Sequence, residues 1–98
     1  MKIKDIARAL EDFAPASLAE SYDNVGLLVG DPNSVVTGVL INLDVTEALI
    51  DEAVAEGINM IVTHHPIWFT GIKRLTGDNY VSRIIVKAIK EGVALYAC

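Results

Sequence analysis

The sequence predicts an α/β lobe: a mostly parallel sheet of about four strands with an antiparallel edge hairpin, covered by three helices. Three observations point there. Residues 58–63, INMIVT, form a short apolar run rich in β-branched side chains, as in an interior parallel strand. From residue 36 onward, strand-like and helix-like segments alternate, the pattern of parallel α/β units. Each helix-like segment carries a 3.6-residue apolar stripe and ends at a glycine or proline.

In chain order, residues 2–13 place Ile3, Ile6, Ala7, Leu10 and Phe13 on one helical face, with Pro15 as the stop. Ser21 to Asn24 is turn chemistry leading into a strand at 25–29, where Gly26 and Gly30 allow a bulge or close backbone approach. Asp31-Pro32-Asn33-Ser34 has proline at the second turn position, which predicts a hairpin pairing 25–29 with 36–43. A helix over 46–56 follows, with Leu49, Ile50, Ala53 and Val54 inward and Gly57 as its stop. Asp44 and Glu47 stand three apart, the spacing of an N-cap and its partner. Asp44 therefore either caps this helix or faces the histidines from a neighbouring strand end. After the strand at 58–63, Thr76 to Asn79 form a turn and cap for a helix over 80–91. Val81, Ile84, Ile85, Ala88 and Ile89 face inward there, Gly92 stops the helix, and 93–97 is the last strand.

The chain's two histidines, His64 and His65, are adjacent and stand between the 58–63 strand and Pro66. Ligands collect at the carboxyl ends of strands in open α/β sheets, and imidazole is the commonest side-chain metal ligand. In extended backbone adjacent side chains diverge, so the pair suits two ions, or one ligand and one outer-shell donor. Proline stiffens the support. The competing reading is a solvated loop start. If the strands ending near 43, 63 and 97 are parallel, Asp44, His64, His65 and Cys98 share one sheet edge. Cys98 is either a soft ligand there or a small buried thiol. Lys73 and Arg74 either meet the phosphates of a nucleotide or are solvated loop charges.

Composition narrows the classes. Ninety-eight residues make a single domain, and 52% of them are hydrophobic, a surplus that suggests packing against other subunits or a place at the front of a longer chain. The net charge of −5 argues against general nucleic-acid binding, which rests on basic surface. No run suits a membrane span, MKIKD does not read as a signal peptide, and one cysteine fits a reducing, cytoplasmic setting.

The segments YDNVGLLVG, NLDVTEALIDEAVAEG, IVTHHPIWF, KRLTGDNYVSRIIVKAIK and GVALYAC resemble, in order, the amino-terminal region of the NIF-three-like proteins, also known as GTP cyclohydrolase I type 2 homologues. Tyr22 stands where the family commonly has tryptophan. The resemblance implies a dinuclear metal-binding hydrolase of hexameric, ring-shaped assembly, with His64 and His65 each contributing to one of two divalent ions (zinc, iron or manganese). It further implies that this is an amino-terminal lobe. The family's later ligands, beginning with a His-Thr-Asn-x-Asp motif after the strand matching 93–98, are not in it. Two ions about 3.5–4 Å apart would activate a water for hydrolysis. The other class of function, a non-enzymatic interaction or assembly module, leaves the His-His-Pro sequence without a role. Two adjacent imidazoles fall short of the three protein ligands typical of catalytic zinc. The 98 residues alone are accordingly expected to hold metal weakly and to catalyse nothing.

Overall fold

The computed structural model describes residues 1–13, 26–64 and 74–98. They form α1 (Ile3–Phe13), β1 (Gly26–Val29), β2 (Val39–Asn42), α2 (Glu47–Ala55), β3 (Met60–Thr63), α3 (Tyr80–Glu91) and β4 (Ala94–Ala97). The strands make one sheet in the order β1-β4-β3-β2. β2, β3 and β4 are parallel, and β1 is an antiparallel edge. Every predicted helix and strand is present, each strand one to four residues shorter than its predicted span.

β3 and β4 are buried along their whole length, and their alternation divides the core into two layers. Met60, Val62, Ala94 and Tyr96 pack with Ile3 and Ala7 of α1 on one face. Ile61 and Leu95 pack with Ile50, Ala53, Ile84, Ile85 and Ala88 of α2 and α3 on the other. Burying a side chain such as Ile50 or Ile61 contributes about 1.5–3 kcal/mol, so the central strands anchor both layers.

The antiparallel edge pairs differently from the predicted hairpin. The Asp31–Ser34 turn does close, with the Ser34 N–H donating to the Asp31 carbonyl at 3.1 Å. Beyond it, other groups capture the chain. Val35 bridges Lys2, and the Val36 N–H donates to the Met1 carbonyl at 2.8 Å. Asn59, just before β3, donates through Nδ2 to the Val35 carbonyl at 2.8 Å, while its Oδ1 accepts from the Thr37 N–H at 2.9 Å. Held this way, the chain reaches the far side of β3 and starts β2 there, parallel. β1 then pairs with β4, with an irregularity between Leu27 and Val29, in the segment where Gly26 and Gly30 allow a bulge or close backbone approach.

Helix ends follow local chemistry. α1 receives the Asp31–Ser34 turn at its start: the Ile3 and Lys4 N–H groups donate to the Ser34 and Pro32 carbonyls, and Asp5 Oδ2 accepts from the Lys2 N–H at 2.8 Å. α2 is capped by Thr46 rather than Asp44, its side chain accepting from the Leu49 N–H at 3.0 Å. α3 is capped as predicted by Asn79, which accepts from the Ser82 N–H at 2.8 Å, and it ends on Gly92 at φ 67°.

Three residues predicted to face inward do not. Phe13 is 89% exposed: eleven residues of α1 run ~16 Å against ~13 Å for a four-residue strand, so the last turn has little sheet beneath it. Val54 and Ile89 lie one residue beyond buried Ala53 and Ala88, at the margins of their stripes, and both are exposed. Pro15, Tyr22, His65, Pro66 and Lys73 lie outside the described residues.

Candidate metal edge

The site is built from strand ends. In register, Asn42, Thr63 and Ala97 finish β2, β3 and β4 side by side. The ladder runs one residue further: the His64 N–H donates to the Asn42 carbonyl at 3.3 Å, and the Cys98 N–H donates to the Thr63 carbonyl at 3.0 Å. His64 and Cys98 are therefore held by main-chain bonds at the carboxyl edge, both exposed, directly above the buried strand residues Thr63 and Ala97. On the β2 side, Asn42 Nδ2 donates to the Asp44 carbonyl at 2.9 Å, shaping the turn that carries exposed Asp44.

Asp44, His64 and Cys98 thus share one edge, as parallel β2, β3 and β4 require. Two of the alternatives left by the sequence close here. Asp44 does not cap α2, since Thr46 does; aspartate and threonine are both good caps, and the Asn42-held turn sets the helix start two residues later. Cys98 is not a buried thiol but an exposed free one. Asn42 itself was missed by sequence reasoning. Its signal is an asparagine at a strand end two residues before an aspartate, where side-chain amides commonly bond nearby main chain.

Below the edge, Tyr96 is buried. That burial, and then the negative charges of Glu11 and Cys98, push its phenol above the ordinary tyrosine range. The phenol stays neutral and acts as packing. Arg74 is exposed.

The donor chemistry at this edge (imidazole, carboxylate and thiol) suits a divalent transition ion. Among the described residues, no three His, Cys, Asp or Glu side chains gather about one point. The described residues alone therefore make no closed ligand shell. A cavity of about 410 Å³ lies at the opposite edge, where Gly30, Asp31, Asn59, Ile89, Gly92 and Val93 line it. Among the described residues no imidazole lines it, and it faces the amino ends of the parallel strands, away from where α/β sheets bind ligands.

The family model of Duf34/NIF3 (NGG1p interacting factor 3) matches residues 1–98. The chain belongs to that family. A Clostridium acetobutylicum protein named GTP cyclohydrolase 1 type 2 homolog is 43% identical over 97 residues, 99% of this chain and 36% of that relative. A Staphylococcus aureus relative of the same name is 45% identical over 99% of this chain and 26% of its own length. The chain therefore spans only about a quarter to just over a third of such Duf34/NIF3 relatives. Among solved structures, Staphylococcus aureus protein SA1388 superimposes with a TM-score of 0.92 at 45% identity, over 99% of this chain and 31% of that one. A Bacillus cereus protein related to NIF3 gives 0.88 at 40%, over 99% and 27%. Reduced HcgD from Methanocaldococcus jannaschii gives 0.82 at 35%, over 100% and 39%. No described helix is long and apolar enough to cross a membrane.

Proposed function

We propose that this lobe supplies part of the site of a divalent-metal-dependent hydrolase, with His64 and His65 as ligands to two ions. The observation that carries the reading is the placement of His64. It follows a parallel strand buried on both faces and is fixed through its N–H to Asn42 on the neighbouring strand. A ligand held by main chain on a rigid support loses little freedom when it binds. Divalent ions held there would supply an activated water at neutral pH. The chain's own task is to present the His64 imidazole at the sheet edge and to keep that edge dry from below through Thr63, Ala97 and Tyr96, all buried. The relatives' name supports a nucleotide-like substrate opened at a purine carbon, with Lys73 and exposed Arg74 meeting its phosphates. A cytoplasmic setting fits the single free thiol.

The deciding experiment measures zinc, iron and manganese content and GTP hydrolysis of the full-length protein and of His64→Ala and His65→Ala. Loss of metal and turnover together in both variants is expected. Full metal content and unchanged turnover in both would refute the reading.

A second reading, assembly through self-association, draws on β2. Val39, Ile41 and Leu43 are exposed along one side of this edge strand, which lacks the lysine, proline or bulge that commonly protects edges. A second copy fits by symmetry: two-fold antiparallel pairing about Ile41 sets Val39 opposite Leu43 and opposes no charges. Sedimentation of wild type and Ile41→Lys tests it. Association that weakens in the variant is expected, and identical behaviour would exclude this edge.

A further inference from the structure

We infer that Asp44 is a positioning carboxylate for the histidine edge, accepting a hydrogen bond from the imidazole of His64 so that its other ring nitrogen faces the metal. The inference rests on the metal reading above. Three observations lead to it. The helix that Asp44 might have capped is capped by Thr46, whose side chain takes the Leu49 N–H at 3.0 Å. Asp44 is therefore not needed where aspartate is most often used. It stands two residues past β2, and His64 one residue past β3, at neighbouring ends of paired parallel strands, whose axes lie about 4.8 Å apart. The two positions are also joined through Asn42: its carbonyl accepts the His64 N–H, and its side-chain amide donates to the Asp44 carbonyl at 2.9 Å. Asn42 thus fixes the turn carrying Asp44 and the strand end carrying His64 with the same few atoms.

Metal-binding histidines commonly donate their second ring N–H to a carboxylate, which selects the tautomer, orients the ring and makes the ligating nitrogen more basic. Asp44 is the carboxylate that β2 brings to this edge, and it is exposed, so its charge stays solvated there. The turn at 43–44 ends the strand's regular alternation, so Asp44 is not bound to one face of the sheet.

The test compares full-length wild type with Asp44→Ala, Asp44→Glu, Thr46→Ala and His64→Ala by zinc affinity in competition with a chromophoric chelator, alongside urea unfolding. Asp44→Ala is expected to weaken zinc binding about 10–100-fold with little change in unfolding, and Asp44→Glu to recover most of the loss. Thr46→Ala should do the reverse, lowering stability while leaving zinc affinity intact. If Asp44→Ala does not fold, Asp44→Asn takes its place. Wild-type affinity in a folded Asp44 variant, with His64→Ala impaired, would overturn this inference and leave the metal reading standing. A loss as large as that of His64→Ala, unrecovered by glutamate, would make Asp44 a direct ligand and also overturn it. Unchanged affinity in His64→Ala would instead overturn the metal reading itself.

Discussion

Gly30 packs against Ala94 so tightly that a Cβ on Gly30 would lie 2.7 Å from the Ala94 Cβ and 2.8 Å from its Cα. This contact lets β1, at the sheet's antiparallel edge, turn away beside the start of β4. Gly30 also has φ +117°, which L side chains rarely adopt. Gly30→Ala therefore meets both strain and a backbone clash, together about 3 kcal/mol. Gly26, at φ +100° with nothing within 4 Å, meets strain alone, about 1 kcal/mol. Urea unfolding of the two variants separates the terms, and equal losses would mean that the Ala94 contact relaxes freely.

Close backbone approach at Gly30 was legible in the sequence, but its partner, Ala94 at the start of β4, was not. Elements governed by their own residues were legible. Tyr80–Glu91 is bounded as read, because Asn79 and Gly92 act on the main chain next to them. Within the INMIVT run, β3 (Met60–Thr63) was legible because a short, β-branched apolar run suits a strand buried on both sides. The partner of β1 was not legible, since it depends on which distant groups capture residues 35–37, namely Met1, Lys2 and Asn59. The same holds at the carboxyl edge of the sheet. The place of His64 at the end of a buried strand was legible in the sequence, whereas the parts of Asn42 and Thr46 emerged only once the strand ends stood side by side.

Helix capping gives a second prediction. Thr46→Ala and Asn79→Ala each leave a first-turn N–H without its acceptor, at a cost of about 1 kcal/mol each. Asn79→Gly should cost only a few tenths of that, because glycine is itself a tolerable cap. Thermal unfolding measures all three. A glycine variant as unstable as the alanine one would show that the amide does more than cap.

Acid should expose the Asp5 contact. The Lys2 N–H bonded to its carboxylate, followed by the amino terminus and the nearby Lys4 and Arg8, holds Asp5 below its ordinary pKa of 3.8. A lowered folded-state pKa stabilises above the unfolded value and is lost as pH falls through the folded one. The stability gap between wild type and Asp5→Asn should thus be present at neutral pH and close in acid, below the carboxylate range. Urea midpoints across that range decide it, and a pH-independent gap would assign the effect to packing.

Alkali should expose Tyr96 with the opposite sign. Burial raises its phenol above 10.0, so the folded state holds the proton more tightly than the unfolded chain. That contribution is complete below the unfolded value and lost as pH rises through the folded one. Tyr96→Phe should therefore lose less stability than wild type on going from neutral pH to above 10.0. Parallel declines would show that the phenol finds solvent in the folded protein.

Asn59 decides the topology, so it offers the sharpest test of the fold. Its amide takes the Thr37 N–H and gives to the Val35 carbonyl, while its own main-chain carbonyl accepts the Ala94 N–H at 2.8 Å. One residue thereby ties the β1–β2 connection to the starts of β3 and β4. Asn59→Ala removes both side-chain bonds, each worth about 0.5–1.5 kcal/mol, for a loss of about 1–3 kcal/mol. Asn59→Asp keeps an acceptor for Thr37 but sets a carboxylate oxygen against the Val35 carbonyl where a donor had been. At neutral pH it should be at least as destabilising as alanine. In acid the protonated carboxyl regains a donor, and the aspartate variant should then recover relative to alanine. Urea unfolding of both variants at neutral and acid pH is the measurement, and an aspartate variant as stable as wild type at neutral pH would show that the Val35 bond does not hold the crossover.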